Sequence, residues 1–245
     1  MKSPSIQRRR RGFTLVELLV VIAIIMVLAT VAFLFARQGL AKATATKALE
    51  RLRQSGTILL ADAQEKNGRF EFAVASDPPD SPYLPYNIVR KNLGIDFSNP
   101  LQSEAQLCDI MHWDNKKLKP TIFVRNCFGV NFTNIAGGPE GTDITWKDEN
   151  VTSDTGEIAV RSLMQSNIGR PERYPLLMES SDQKGNEIFY IREREGNRVG
   201  LRDNGKSLGF FMDGSARPLD RKNLKELGFG NVFDNTTTPP KGVKL

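Results

Sequence analysis

Glu17 is the side chain whose setting most demands a chemical partner. It stands one residue before a run, 18–36, in which every residue except Thr30 is apolar, and an acid in such a place wants a cation. A cut between Gly12 and Phe13 would supply one, because the new α-amino group would lie one helical turn from the carboxylate. Cys108 and Cys127 are the only cysteines, with eighteen residues between them. In an oxidising compartment they are expected to pair, closing a loop worth about 3 kcal/mol in chain entropy, less any strain. Two buried free thiols are the alternative.

Other constellations are thin. His112 is the only histidine, so a Ser-His-Asp or Cys-His site would have to use it. Together with the two cysteines it still lacks a clear fourth zinc ligand, and a surface or core position is expected. Gly137-Gly138-Pro139-Glu140-Gly141 lacks the Lys-Ser/Thr ending that a nucleotide loop requires. Asp203, Asp213 and Asp220 offer oxygens but match no calcium-loop spacing. Triplets beginning at Asn131, Asn150 and Asn235 fit the N-glycosylation pattern, which arises often by chance. The expectation is no catalytic residue, no cofactor and no metal, so the chain is not read as an enzyme.

The element that must position Glu17 is the apolar run. As a helix, residues 18–36 reach about 28 Å at about 1.5 Å per residue, close to the thickness of a bilayer's hydrocarbon core. Thirteen of these residues are Leu, Ile, Val or Phe. Each favours insertion by about 0.3–0.6 kcal/mol, against roughly 2.5–3.5 kcal/mol for a central acid, so insertion wins. The charge distribution agrees. Of the formal +6, Lys2 and Arg8 to Arg11 supply +5, leaving 29 basic and 28 acidic residues after Gly12. Clustered positive charge before a span keeps the amino terminus cytoplasmic and sends the rest across. The near-neutral remainder argues against a nucleic-acid partner.

Beyond the run, Ala45, Leu49, Leu52, Gly56, Leu59 and Ala63 recur at alternating spacings of four and three. This predicts an amphipathic helix packed under a domain, stopped by Asn67-Gly68 and by the prolines of 77–85. The rest, from about Phe70, reads as one α+β domain. Strands are expected over 121–130, 143–147, 175–179, 187–193 and 198–202, with a hairpin joining 208–212 to 215–219 through Asp213-Gly214. A short helix is expected over 157–165, loops over 134–142 and 182–186, and a loose tail over 235–245.

Arg8 to Arg11, then Gly12-Phe13-Thr14-Leu15-Val16-Glu17-Leu18 opening into an apolar helix, resemble the type IV prepilin family, which includes the pseudopilins of type II secretion. The resemblance is close over 11–36 and looser to about Phe70. It implies an α+β fold whose long amino-terminal helix, with a transmembrane half and an amphipathic half, packs on an antiparallel β-sheet head. It divides the chain into a cytoplasmic leader (1–12), a transmembrane and assembly helix (13–36), its amphipathic continuation (37–67) and an extracytoplasmic head (68–245). In that family a prepilin peptidase cuts after the glycine and methylates the new amino terminus. Carried over, Gly12 is the cleavage residue, Phe13 the methylated residue and Glu17 the charge that sets register between stacked subunits. The implied partners are that peptidase, other pilin or pseudopilin subunits and the bacterial inner membrane.

Two positions depart from the family pattern. Many members carry a helix-breaking Pro where Leu34 stands, and none occurs here between Gly12 and Pro78, so a smoother helix is expected. Phe211-Met212-Asp213-Gly214 resembles a distal hairpin of some prepilin-like proteins, with Ser215 replacing their histidine. The size of the head leans toward a minor or specialised subunit.

Two other classes compete with a filament subunit. A secreted binding protein or enzyme could use the first forty-odd residues as a signal, with Arg10-Arg11 as twin arginines and Ala41-Lys42-Ala43 as the cleavage site. Against it, the apolar run exceeds the usual 7–15 residues or so, and Glu17 interrupts its start. A single-pass anchored protein that never assembles leaves Glu17 without a purpose.

Overall fold

The computed structural model describes residues 15–74, 81–95, 111, 127–133, 144–153, 156–202 and 204–245. The chain divides into two compact units, Met1–Ala43 and Thr44–Leu245. The division falls inside helix α1 (Leu15–Glu65), and each unit is taken by itself.

In the first unit, α1 presents its apolar side chains outward: those described from Leu15 to Ala43 are all exposed. The one polar residue of the run, Thr30, donates its hydroxyl to the Met26 carbonyl at 2.7 Å. Its hydrogen bond is thereby satisfied inside the helix, as a lipid-facing hydroxyl requires. No proline interrupts the helix, as the residue at position 34 leads one to expect.

In the second unit, α1 buries Ala48, Leu52, Ser55, Gly56, Leu59 and Ala63. Four of the six residues of the expected stripe are fully covered, while Ala45 and Leu49 at its start are half-buried. The helix stops where the sequence says it should. Asn67 and Gly68 adopt left-handed φ angles of 57° and 77°, and the Gly68 N–H turns back to the Ala63 carbonyl at 2.8 Å.

The strands form three sheets. The first has the order β1-β4-β3, from β1 (Arg69–Ala73), β3 (Lys147–Ser153) and β4 (Gly156–Met164). The second, β10-β9-β5-β2-β7, uses β2 (Gly129–Asn131), β5 (Pro175–Met178), β7 (Tyr190–Ile191), β9 (Ser207–Phe211) and β10 (Ala216–Leu219). The third, β12-β11-β8-β6, uses β6 (Ser180–Ser181), β8 (Arg198–Leu201), β11 (Asn231–Asp234) and β12 (Lys241–Lys244). Pairing is antiparallel except for β2 with β7 and β8 with β11. Helices α2 (Pro85–Asn92) and α3 (Arg221–Glu226) complete the unit. The α+β class is as expected.

Several local expectations are corrected. Residues 157–164 lie in strand β4 and not in a helix, Gln165 opening the turn that follows: β4 pairs with β3 along one edge and β1 along the other. Two ladders outweigh weak helix propensity, and β-branched Ile158 and Val160 are buried on either side of exposed Ala159 with the period of a strand. The loose tail holds a strand, since β12 pairs with β11 from Lys244 opposite Asn231 to Lys241 opposite Asp234. The strand expected over 143–147 instead begins at Lys147 and continues to Ser153, while Ile144 and Trp146 are buried ahead of it. The strand over 187–193 shrinks to Tyr190–Ile191, because the Ile188 N–H is taken by the Ser180 hydroxyl at 2.9 Å. The expected hairpin about Asp213-Gly214 is present, with Phe210 opposite Ala216. Residues 121–126 and 134–142 lie outside the described residues.

The core holds α1 against the second sheet. Strands β5 and β9 are buried at every position, the pattern of strands covered on both faces. Beside them Phe72, Phe132, Trp146 and Tyr190 cluster, with Phe132 and Trp146 edge to face at 4.9 Å.

Candidate functional site

Glu17 lies in the first turn of α1. Gly12 and Phe13 lie outside the described residues. The helix is long and apolar enough to cross a membrane over Leu15–Phe33, 19 residues that include Glu17 and of which none is buried.

The distribution of exposed apolar side chains separates this segment from the rest. Among the described residues, the large hydrophobic side chains left exposed belong to α1 between Leu15 and Leu40, apart from Leu93 and Met164. The second unit thus offers no large exposed apolar patch there, whereas α1 carries a continuous one. In water such a surface would be unfavourable by about 25 cal/mol per Å², and it needs lipid or protein against it.

The other sequence candidates do not converge. Cys127 is fully buried and has no disulfide partner among the described residues. In the reduced form, burial first and the nearby Glu187 charge second push the Cys127 thiol well above its ordinary value, which disfavours the reactive thiolate at neutral pH. Cys108 lies outside the described residues, as do His112, Asp203 and Gly137 to Gly141, so the cysteine pairing stays an expectation that a thiol count would check. Asp213 instead accepts the Ser215 N–H and hydroxyl at 2.9 and 2.7 Å within its turn. Asp220 caps α3, accepting the Asn223 N–H at 2.8 Å while the Asn223 amide oxygen accepts the Asp220 N–H at 3.2 Å. Both acids serve local structure. Among the described residues no group of three or more His, Cys, Asp or Glu side chains could hold a metal. Asn131 is fully buried, so its triplet offers no glycosylation acceptor.

Sequence reasoning missed two arginine features. Arg161 is buried, its Nε donating to Asp148 at 3.0 Å and its Nη2 to Glu195 at 3.4 Å, with the guanidinium 4.9 Å from the Phe132 ring centre. Burial works to raise the Glu195 carboxyl, but hydrogen bonds from Arg192 and Tyr190, with the Arg161 charge, hold it below its ordinary value. The network ties the β3–β4 hairpin to the turn 193–195 that follows β7. Arg173 and Arg217 face a cleft described below. No periodicity could have paired residues so distant in sequence.

Residues 7–33 match the family model described as the prokaryotic N-terminal methylation motif. The chain therefore carries a prepilin-type amino-terminal methylation segment, set at the head of a membrane-length helix and followed by an α+β unit. This is consistent with the type IV prepilin and pseudopilin family and defines a prepilin-like protein, for which the motif implies processing by a prepilin peptidase. Neither the curated proteins nor the solved structures compared with the chain gave a match.

Proposed function

We propose that this chain is a structural subunit, a pilin or pseudopilin, of a type IV pilus or type II secretion pseudopilus. The observation that carries the reading is the continuity of the methylation motif at 7–33 with an apolar helix face left bare from Leu15 to Phe33. Prepilin peptidase cuts between Gly12 and Phe13 and methylates the Phe13 amine. The segment 13–36 then holds the subunit in the bacterial inner membrane, with the leader cytoplasmic and the head outside.

On assembly the same helix leaves lipid and packs against neighbouring subunits. Dispersion and area burial between apolar helices supply cohesion but little register, since sliding one such helix along another changes little. Glu17 supplies the register: its carboxylate meets the Phe13 amine of a neighbouring subunit, and misregistered placement in the apolar bundle would cost several kcal/mol. The role is structural, and no reaction is assigned to the head.

Amino-terminal sequencing and mass measurement of the mature protein test this reading. A chain beginning at N-methylated Phe13 is expected. A start near Thr44 would instead mark a secreted protein released from a signal, and an intact Met1 a simple anchor; either would overturn the proposal.

A further inference from the structure

We propose that a cleft on the second unit, between β10, α3 and the turn 171–173, binds a single carboxylate of a partner polypeptide, an Asp or Glu side chain flanked by apolar residues. The proposal goes beyond the assembly role and does not depend on it. The cleft has a volume of about 490 Å³, with Arg173 and Arg217 among its lining residues, a size that suits a small group of atoms on a larger partner.

The two arginines are built for the task. Arg173 Nη2 donates to the Glu226 carbonyl at 2.8 Å, and Arg217 Nη2 donates to the Glu172 carbonyl at 2.8 Å. Arg217 is further held with its guanidinium 3.9 Å from the Phe211 ring centre. Each planar fork is thus oriented by neutral acceptors while its charge is left to a ligand. Among the described residues neither makes an ion pair, in contrast to Arg161, Arg192 and Arg221, each matched to a carboxylate. A guanidinium fixed in advance loses less side-chain entropy when it accepts a carboxylate.

The remaining lining selects among anions. Pro218, Leu219 and Leu227 form an apolar wall, suited to aliphatic neighbours of an acidic residue and not to a free, strongly hydrated ion. Glu226 also lines the cleft, with its carbonyl on Arg173 and its carboxylate 3.9 Å from Lys222. Asn223, whose amide oxygen is taken by the cap of α3, also lines the cleft. Strand addition is excluded as the mode of docking, since Pro218 in edge strand β10 has no N–H to offer.

The test uses the full chain in detergent and a blocked tripeptide with glutamate between two leucines. Phenylglyoxal modification of each arginine, mapped by mass spectrometry on the wild-type protein, requires no variant to fold. The peptide is expected to slow modification of Arg173 and Arg217 at least threefold while leaving exposed Arg53 unchanged. In fluorescence anisotropy with the labelled peptide, R173Q and R217Q are each expected to weaken binding at least fivefold, and K222Q less than twofold. Equal protection by the glutamine tripeptide, equal protection by inorganic phosphate at the same concentration, or no protection at about 1 mM peptide would each overturn the proposal.

Discussion

The ring of Phe210 lies directly on the backbone of Gly56: a Cβ built at Gly56 would stand 2.1 Å from the Phe210 Cδ1 atom. Residue 56 sits inside a helix, where glycine is ordinarily less favourable than alanine by about 1 kcal/mol. Here the missing methyl lets strand β9 approach α1, and the ring that would have to move is itself fully buried. Gly56→Ala is therefore expected to destabilise, by about 1–3 kcal/mol, against the sign that helix propensity alone would give. Thermal unfolding of the two proteins checks the sign, and adding Phe210→Leu is expected to recover part of the loss.

Glu17→Ala is expected to leave cleavage after Gly12 intact while lowering incorporation into filaments at least tenfold. An immunoblot for the shortened chain, beside its yield in a sheared filament fraction, separates the two effects. Assembly at the wild-type level would remove the registry role assigned to this carboxylate.

Arg161→Met keeps an unbranched side chain over Phe132 but removes the charge that Asp148 and Glu195 share. Destabilisation of about 1–3 kcal/mol is expected, as for other losses of a partner to buried polar groups. The Glu195 carboxyl, relieved of that cation, is expected to titrate higher, which NMR of labelled glutamate would register.

Asp234 is held below its ordinary value of 3.8, first by the Thr236 hydroxyl, with further help from the Thr236 N–H and Arg221 against the opposing effect of burial. Its folded-state value lies below the unfolded one, so its contribution to stability is complete above the unfolded value and lost as pH falls through the folded value. Melting temperatures recorded from pH 6 down to about pH 2 are expected to fall less steeply for Asp234→Asn than for wild type at the acid end.

The helix that carries the methylation motif was legible without coordinates because its signals are local. A basic run, a Gly-Phe junction, one carboxylate and uninterrupted apolar residues each act through lipid or through the next turn of the same helix. The stop at Asn67-Gly68 and the turn at Asp213-Gly214 were readable for the same reason, since left-handed backbone and tight turns select residues one at a time. Strand β4 was misread as a helix because Ile158, Val160 and Leu163 give an ambiguous period, resolved only by β3 and β1 on its two edges. The tail over 235–245 looked loose because β12 is polar and exposed, and it gains its strand form from β11.

By itself, then, the sequence determined the methylation motif, the segment long and apolar enough to cross a membrane and how the long helix ends. These depend on neighbours within a few residues and on transfer from water. The tertiary structure decided which strands pair, why Gly56 must lack a side chain, and which arginines are matched to acids while Arg173 and Arg217 face a cleft. The farthest of these, such as Gly56 with Phe210, join groups more than a hundred residues apart, whose proximity exists only once the chain has closed its core.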